Sequence, residues 1–169
     1  FDGEQFKELK QQIITSLEAS KSDPGALASQ ALQRHLAPYP EDHPGYVATI
    51  EESIALTEAA ELHQLVEFHQ TFYGATHGHM AIVGDFDPKE IQPIVEEALA
   101  GWNSDASFSR LVNPHFEIPG KKITIETPDK ANAYFLTGLN IPLRDDHEDY
   151  PGLVLGNFML GGGFLSSRL

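Results

Sequence analysis

Apolar residues recur every three or four positions through the first half of the chain, which is the spacing of amphipathic helices. Phe6, Leu9, Ile13 and Leu17 show it most clearly, and a turn at residues 22–25 follows them. Thr49, with Glu52 three residues later, and Thr57 are typical helix caps. The pattern therefore predicts four helices before any strand, over residues 4–20, 25–36, 50–56 and 58–72.

A change of period occurs at residues 80–102, the stretch around which the rest of the chain is arranged. The apolar run 80–83 ends at Gly84, and Asp87, Pro88 and Glu90 then spell a helix start. Apolar residues continue at helical spacing as far as Trp102. We therefore predict a short strand that turns directly into an amphipathic helix.

Two further strands are predicted after a connecting loop at residues 103–119. Residues 121–127 alternate apolar and polar side chains as a strand does, and residues 133–143 are rich in the apolar and aromatic residues that favour strands. Pro128-Asp129-Lys130 between them has hairpin chemistry. Residues 150–160 then read as an apolar helix. The order β-α-β-β-α predicts an α+β fold, in which helices pack on one face of a mostly antiparallel sheet.

Composition narrows the classes of function. The net charge is −14 with only 11 Lys and Arg among 169 residues, which argues against binding nucleic acid or an anionic membrane surface. No apolar run approaches the roughly 20 residues that span a bilayer. There is no cysteine, so disulfides and thiolate zinc sites are excluded. The chain begins with Phe1 and stops at residues 166–169, where the sequence predicts the start of another helix, and we expect it to be an internal piece of a longer protein.

Eight histidines and 25 acidic residues invite a search for a metal site. Neither HExxH nor HxxEH occurs. His63 and Glu67 share a helical face, and His77 and His79 flank a glycine, but an exposed polar surface explains each pair more simply. His69 falls among apolar positions and is expected to pack. The sequence also leaves open an independent metal-binding module that uses His63, Glu67, His77 and His79.

The C-terminal glycines offer a second candidate site. Gly161, Gly162 and Gly163 follow a helix rather than a strand, which argues against a phosphate-binding loop. Ser166 is not in a GxSxG setting, so helix capping is the simpler role for it. From the residues alone we therefore expect a flexible glycine hinge followed by a helix cap.

Three stretches together resemble the pitrilysin or insulinase-like zinc metallopeptidases, also called inverzincins. They are AIVGDFDPKEIQPIVEEALAGW, AYFLTGLNIPLRDDHEDYPGLVLGNFMLGG and GGGFLSSRL, in the family's order and spacing. The helices before them fit the family's preceding helical region. The resemblance implies the LuxS/pitrilysin-peptidase-like fold, with residues 1–75 as a helical region that closes the preceding subdomain and residues 76–169 as an α+β core truncated at its end.

Family members contain pairs of similar domains, one with zinc and one that has usually lost it. Glu18 lies near the position of the family's distal glutamate ligand, but we expect it to be part of a polar helix face exposed to water. The resemblance therefore implies the non-catalytic domain of a bacterial-type zinc metalloendopeptidase, which encloses a peptide or protein substrate with a catalytic domain of the same chain or of a paired subunit.

Several further expectations follow from the same resemblance. Zinc is expected in the intact protein and no cofactor in this fragment, which alone would be inactive. The resemblance also implies that Gly161, Gly162 and Gly163, with Ser166 and Arg168, form a hinge or a wall of the substrate chamber. The net charge, and not the resemblance, leads us to expect no nucleic acid or membrane partner. A periplasmic location is favoured by analogy with bacterial relatives. The alternative is a scaffold or assembly protein of the same fold without peptidase activity.

Overall fold

A computed structural model describes residues 1–162 of the chain. These residues form six α-helices and one π-helical turn, and no helix among them is long and apolar enough to cross a membrane. The helices are α1 (Gly3–Ser20), α2 (Pro24–Leu36), α3 (Ile50–Ala59), α4 (Leu62–Phe72), α5 (Pro88–Leu99) and α6 (Tyr150–Asn157), and the π-turn (Phe158–Gly162) extends α6.

Side-chain caps explain where several helices begin. Asp2 accepts hydrogen bonds from the backbone N–H groups of Glu4 and Gln5 at the start of α1. Thr49 and Glu52 form the capping box that the sequence predicts for α3. Asp87 accepts a bond from the N–H of Lys89 at 2.8 Å. Each cap satisfies backbone donors that the first helical turn leaves without a partner.

The boundary between α3 and α4 lies later than the sequence predicts. Thr57 is not a cap, because its hydroxyl lies inside α3 and donates to the carbonyl of Ser53 at 2.7 Å. The chain leaves the helix at Ala60, and the side chain of Gln64 then accepts a bond from the N–H of Glu61 at 2.9 Å. The residue that precedes α4 is therefore Glu61, and not Thr57 as the sequence predicts.

The prediction of an α+β fold with a mostly antiparallel sheet is wrong, because residues 1–162 contain helices and no β-strand. A strand requires backbone hydrogen bonds to a neighbouring strand, and local alternation cannot supply that neighbour. The three segments predicted as strands leave large apolar side chains in solvent, with Val83 98%, Phe135 86% and Leu139 81% exposed.

Of the predicted hairpin, the turn is present and the two paired strands are not, within the described residues. Its turn forms, since the N–H of Lys130 donates to the carbonyl of Thr127 at 3.0 Å. The segments on either side of the turn are not paired in a ladder in the described structure. Turn chemistry is local, whereas a ladder requires two segments to meet in register.

The described chain divides into two units. The first comprises Phe1–Leu27, Ala48–Asn113 and Ile125–Ala133, and the second holds Ala28–Val47, Pro114–Thr124 and the chain from Tyr134 onward. Both boundaries near the predicted hairpin fall inside its segments. The predicted boundary between a helical region, residues 1–75, and the core of the peptidase-type domain, residues 76–169, stays a prediction.

Helices α1 and α3 pack together in the first unit, where Ile50 and Ile54 of α3 are 5% and 7% exposed. A buried serine ties the end of α4 to the segment after α5. The hydroxyl of Ser104 donates to the carbonyl of Thr71 at 2.7 Å, and its N–H donates to the Thr76 hydroxyl at 3.0 Å. These bonds fix a segment that the sequence alone would leave as a loop.

A side-chain amide organises the second unit in a similar way. The Nδ2 atom of Asn140 donates to the carbonyls of Leu36 at 2.7 Å and Phe116 at 3.1 Å. The Nε2 atom of His35 lies 3.1 Å from the carbonyl oxygen of Pro119. The end of α2, residues 116–119 and residue 140 are thereby held together, although they are distant in sequence.

Candidate functional site

The predicted glycine site lies at the end of α6. Gly161 and Gly162 belong to the π-turn Phe158–Gly162, which continues the helix instead of forming a loop. Gly163, Ser166 and Arg168 lie outside the described residues. The hinge therefore stays a prediction, but its first two glycines occupy a helical turn of unusual hydrogen bonding, a feature frequent at functional sites.

The surface around this turn is strongly apolar. A helix that is apolar on every side is normally buried, but much of α6 and the π-turn is exposed to solvent. Large exposed side chains there are Leu153, Val154, Leu155, Phe158, Met159 and Leu160. These six side chains are each between 41% and 66% exposed.

Four of the candidate ligand residues each contact a nearby side chain. They are His63, His69, His77 and Glu18. The Nδ1 atom of His63 lies 3.0 Å from a carboxylate oxygen of Glu61, not of Glu67 as the helical spacing suggests. His69 stacks on Tyr73 with ring centroids 5.0 Å apart, and His77 stacks on Phe108 at 5.7 Å. Glu18 forms an ion pair with Lys21 at 2.8 Å.

No group of three or more histidine and acidic side chains within residues 1–162 is placed to hold a metal ion. The proposed pairs His63 with Glu67 and His77 with His79 are therefore not joined by a third ligand in the described part of the chain. This result gives no support to an independent metal-binding module.

A groove between α1 and α3 is a site that the sequence analysis does not identify. Its volume is about 310 Å³ and its walls come from both helices. The lining residues are Phe6, Leu9, Lys10, Ile13, Leu56, Thr57 and Ala60.

Lys10 is the charged residue of this groove. Its ammonium group donates to the carbonyl of Glu58 at 2.6 Å and to that of Ala60 at 2.9 Å. Carbonyls at the end of a helix lack partners within the helix and carry partial negative charge, so they attract an ammonium group. Lys10 therefore links α1 to the end of α3.

The charge of Lys10 is not balanced by a carboxylate. Within residues 1–162 no carboxylate oxygen lies within 4 Å of its nitrogen, whereas Lys7 and Lys21 of the same region each pair with a glutamate at 2.8 Å. The signal in the sequence is slight, since Lys10 is one lysine beside an apolar stripe. Its partners lie 48 and 50 residues away, beyond the reach of pattern analysis.

Comparison with known protein families identifies the family of this chain. Residues 59–169, about two thirds of the chain, match the family model described as the Peptidase M16 inactive domain. No curated protein and no solved structure matches the chain. The match confirms the resemblance to the pitrilysin and insulinase-like peptidases. The chain therefore belongs to the M16 peptidase family and carries its inactive domain over residues 59–169.

Proposed function

We propose that this chain is the non-catalytic part of a zinc-dependent metalloendopeptidase, in which it helps to enclose a peptide substrate. The observation that carries the proposal is the match of residues 59–169 to an inactive peptidase domain. An inactive domain in a peptidase acts by binding, because it has no catalytic group of its own. Its effects on the reaction are to orient the peptide and exclude water.

The exposed apolar surface supports a pairing with a catalytic domain. Leu155, Phe158 and Met159 are each well exposed at the end of α6, and burying them against a partner would remove apolar area from water. The described residues hold no ligand set for zinc, so we assign no step of bond cleavage to them. In this proposal the catalytic domain supplies zinc and the groups that cleave the peptide.

Zinc content and peptide hydrolysis test the proposal. Both are measured on the full-length protein and on residues 1–169 alone, with a quenched fluorescent peptide as substrate. We expect zinc and hydrolysis in the full-length protein and neither in the shorter chain. Hydrolysis by the shorter chain would contradict the proposal, and a full-length protein without zinc or activity would favour the scaffold alternative.

We propose that the glycine run at residues 161–163 is a hinge. It allows this chain and the catalytic domain to close on the substrate. A Cβ atom on Gly162 would lie 3.1 Å from Cδ2 of Phe158, so Gly162→Ala requires that ring to shift by a few tenths of an ångström and removes the backbone freedom of glycine. We expect kcat/KM of the full-length protein to fall about fivefold, equivalent to about 1 kcal/mol, because closure is impeded.

Gly156→Ala is the matched control for this hinge. A Cβ atom there meets nothing within 4 Å, and Gly156 lies on α6 itself. It should leave kcat/KM unchanged, and both variants should retain the zinc content of the parent. Equal activity of the two variants would argue against a hinge at the π-turn.

A further inference from the structure

The groove between α1 and α3 presents an apolar surface to solvent. Leu9 and Leu56 are 54% and 67% exposed on its two walls, and Ile13 extends the apolar wall of α1. Exposed leucines that face a common groove make a surface that an apolar side chain can cover. The volume of about 310 Å³ is at the lower end of known ligand sites and suits a short segment.

The ammonium of Lys10 sets the charge that a ligand must bring. A lysine ammonium has three donors, and two of those of Lys10 are used by the carbonyls of Glu58 and Ala60. Those two bonds hold the nitrogen in place beside the groove and leave one donor for a ligand. A carboxylate is the complementary acceptor, because it also balances the charge.

We propose that this groove binds the C-terminal end of a peptide that has apolar side chains. Its terminal carboxylate contacts Lys10, and its last side chains cover Leu9, Ile13 and Leu56. The choice of a peptide rests on the proposed function, in which substrates and products are peptides. A groove open along its length also suits a peptide end better than an acyl chain, which gains most from an enclosed tunnel.

The net charge of −14 opposes the binding of any anion to this chain, at the groove as elsewhere. A carboxylate therefore binds only where a fixed cation and apolar contact coincide, as they do at Lys10 in the groove. Repulsion between exposed charges is screened by salt. Binding of the peptide carboxylate should therefore be measured at moderate ionic strength.

The probe is the acetylated tetrapeptide ALFL, used as the free acid and as the C-terminal amide. Binding to residues 1–169 is followed by chemical-shift changes in ¹H–¹⁵N spectra. We expect the acid to bind about tenfold more tightly than the amide, because a charge-assisted hydrogen bond is lost in the amide. The shifts should map to α1 and the end of α3.

Variants test the role of Lys10 directly. Lys10→Met keeps the apolar stem and should abolish the preference for the acid, whereas Lys7→Met should keep it, because Lys7 lies outside the groove and pairs with Glu4. Leu56→Glu places a carboxylate in the groove without removing the bonds of Lys10. It should abolish binding of the acid, which keeps the test decisive if Lys10→Met fails to fold.

Equal affinity for acid and amide, or shifts outside α1 and α3, would overturn the proposal. Tighter binding of octanoate than of the peptide acid would assign the groove to an acyl carboxylate and would also overturn it. These outcomes are separate from the proposed peptidase role, because hydrolysis by the full-length protein is measured independently. Loss of binding with hydrolysis intact would reject the groove alone.

Discussion

Gly74→Ala is expected to destabilise the chain by about 2–4 kcal/mol, a large effect for one methyl group. A Cβ atom on Gly74 would lie 2.5 Å from the backbone nitrogen of Ser104 and 2.6 Å from the carbonyl carbon of Asn103. Both are backbone atoms, and a shift of Ser104 away from residue 74 strains the bonds that Ser104 makes to Thr71 and Thr76. The free energy of unfolding, measured by urea denaturation with circular dichroism, checks this.

Gly120→Ala provides the control for that measurement. A Cβ atom at Gly120 meets nothing within 4 Å. Substitution there should leave the free energy of unfolding unchanged or raise it by about 0.4–1 kcal/mol, because alanine restricts the unfolded chain. If Gly74→Ala is as stable as Gly120→Ala, the close approach of residues 74 and 104 is not a feature of the folded protein.

Asn140→Asp is expected to cost about 2–3 kcal/mol, although the two side chains have the same shape. The amide nitrogen of Asn140 donates to two carbonyls, those of Leu36 and Phe116. An aspartate places an anionic acceptor against both carbonyls, so two hydrogen bonds become repulsive contacts. The loss should appear in urea denaturation at neutral pH.

The exposed Asn132 gives a matched control, because Asn132→Asp adds the same charge. We expect that variant to stay within about 0.5 kcal/mol of the parent. A loss of equal size in both variants would mean that the added charge, and not the bonds to Leu36 and Phe116, is responsible for the effect.

The sequence predicts helices well here because their signals are local. The Thr49 and Glu52 capping box and the Asp87 and Pro88 helix start each lie within a few residues of the backbone groups that they stabilise. Thr57 misleads for the same reason. Its hydroxyl bonds back to Ser53 inside the helix, an alternative that the sequence does not distinguish from a cap.

Long-range contacts are what the sequence could not provide. Alternating residues at 121–127 and apolar residues at 133–143 predict two strands. Pairing depends on which segments meet, and in the described structure these two do not form a ladder. The bonds of Asn140 and Ser104 join residues up to 104 positions apart. Nothing in the composition of their neighbourhoods marks these two residues.

The same difference between local and long-range signals applies to the family motifs and to the groove. The family could be identified from three ordered motifs, because motifs are local in sequence, and the match over residues 59–169 confirms it. The groove at Lys10 could not, because it depends on α1 meeting the end of α3. A lone lysine becomes a candidate anion site only after the fold places it beside an apolar groove and fixes its ammonium on two carbonyls.

Cross-linking of a bound peptide tests most directly whether this chain helps to enclose substrate. The full-length protein, depleted of metal to stop hydrolysis, is irradiated with a substrate peptide that carries a photoreactive benzophenone, and the labelled residues are identified by mass spectrometry. We predict labels within residues 1–169 as well as in the catalytic domain. Labels confined to the catalytic domain would contradict the account.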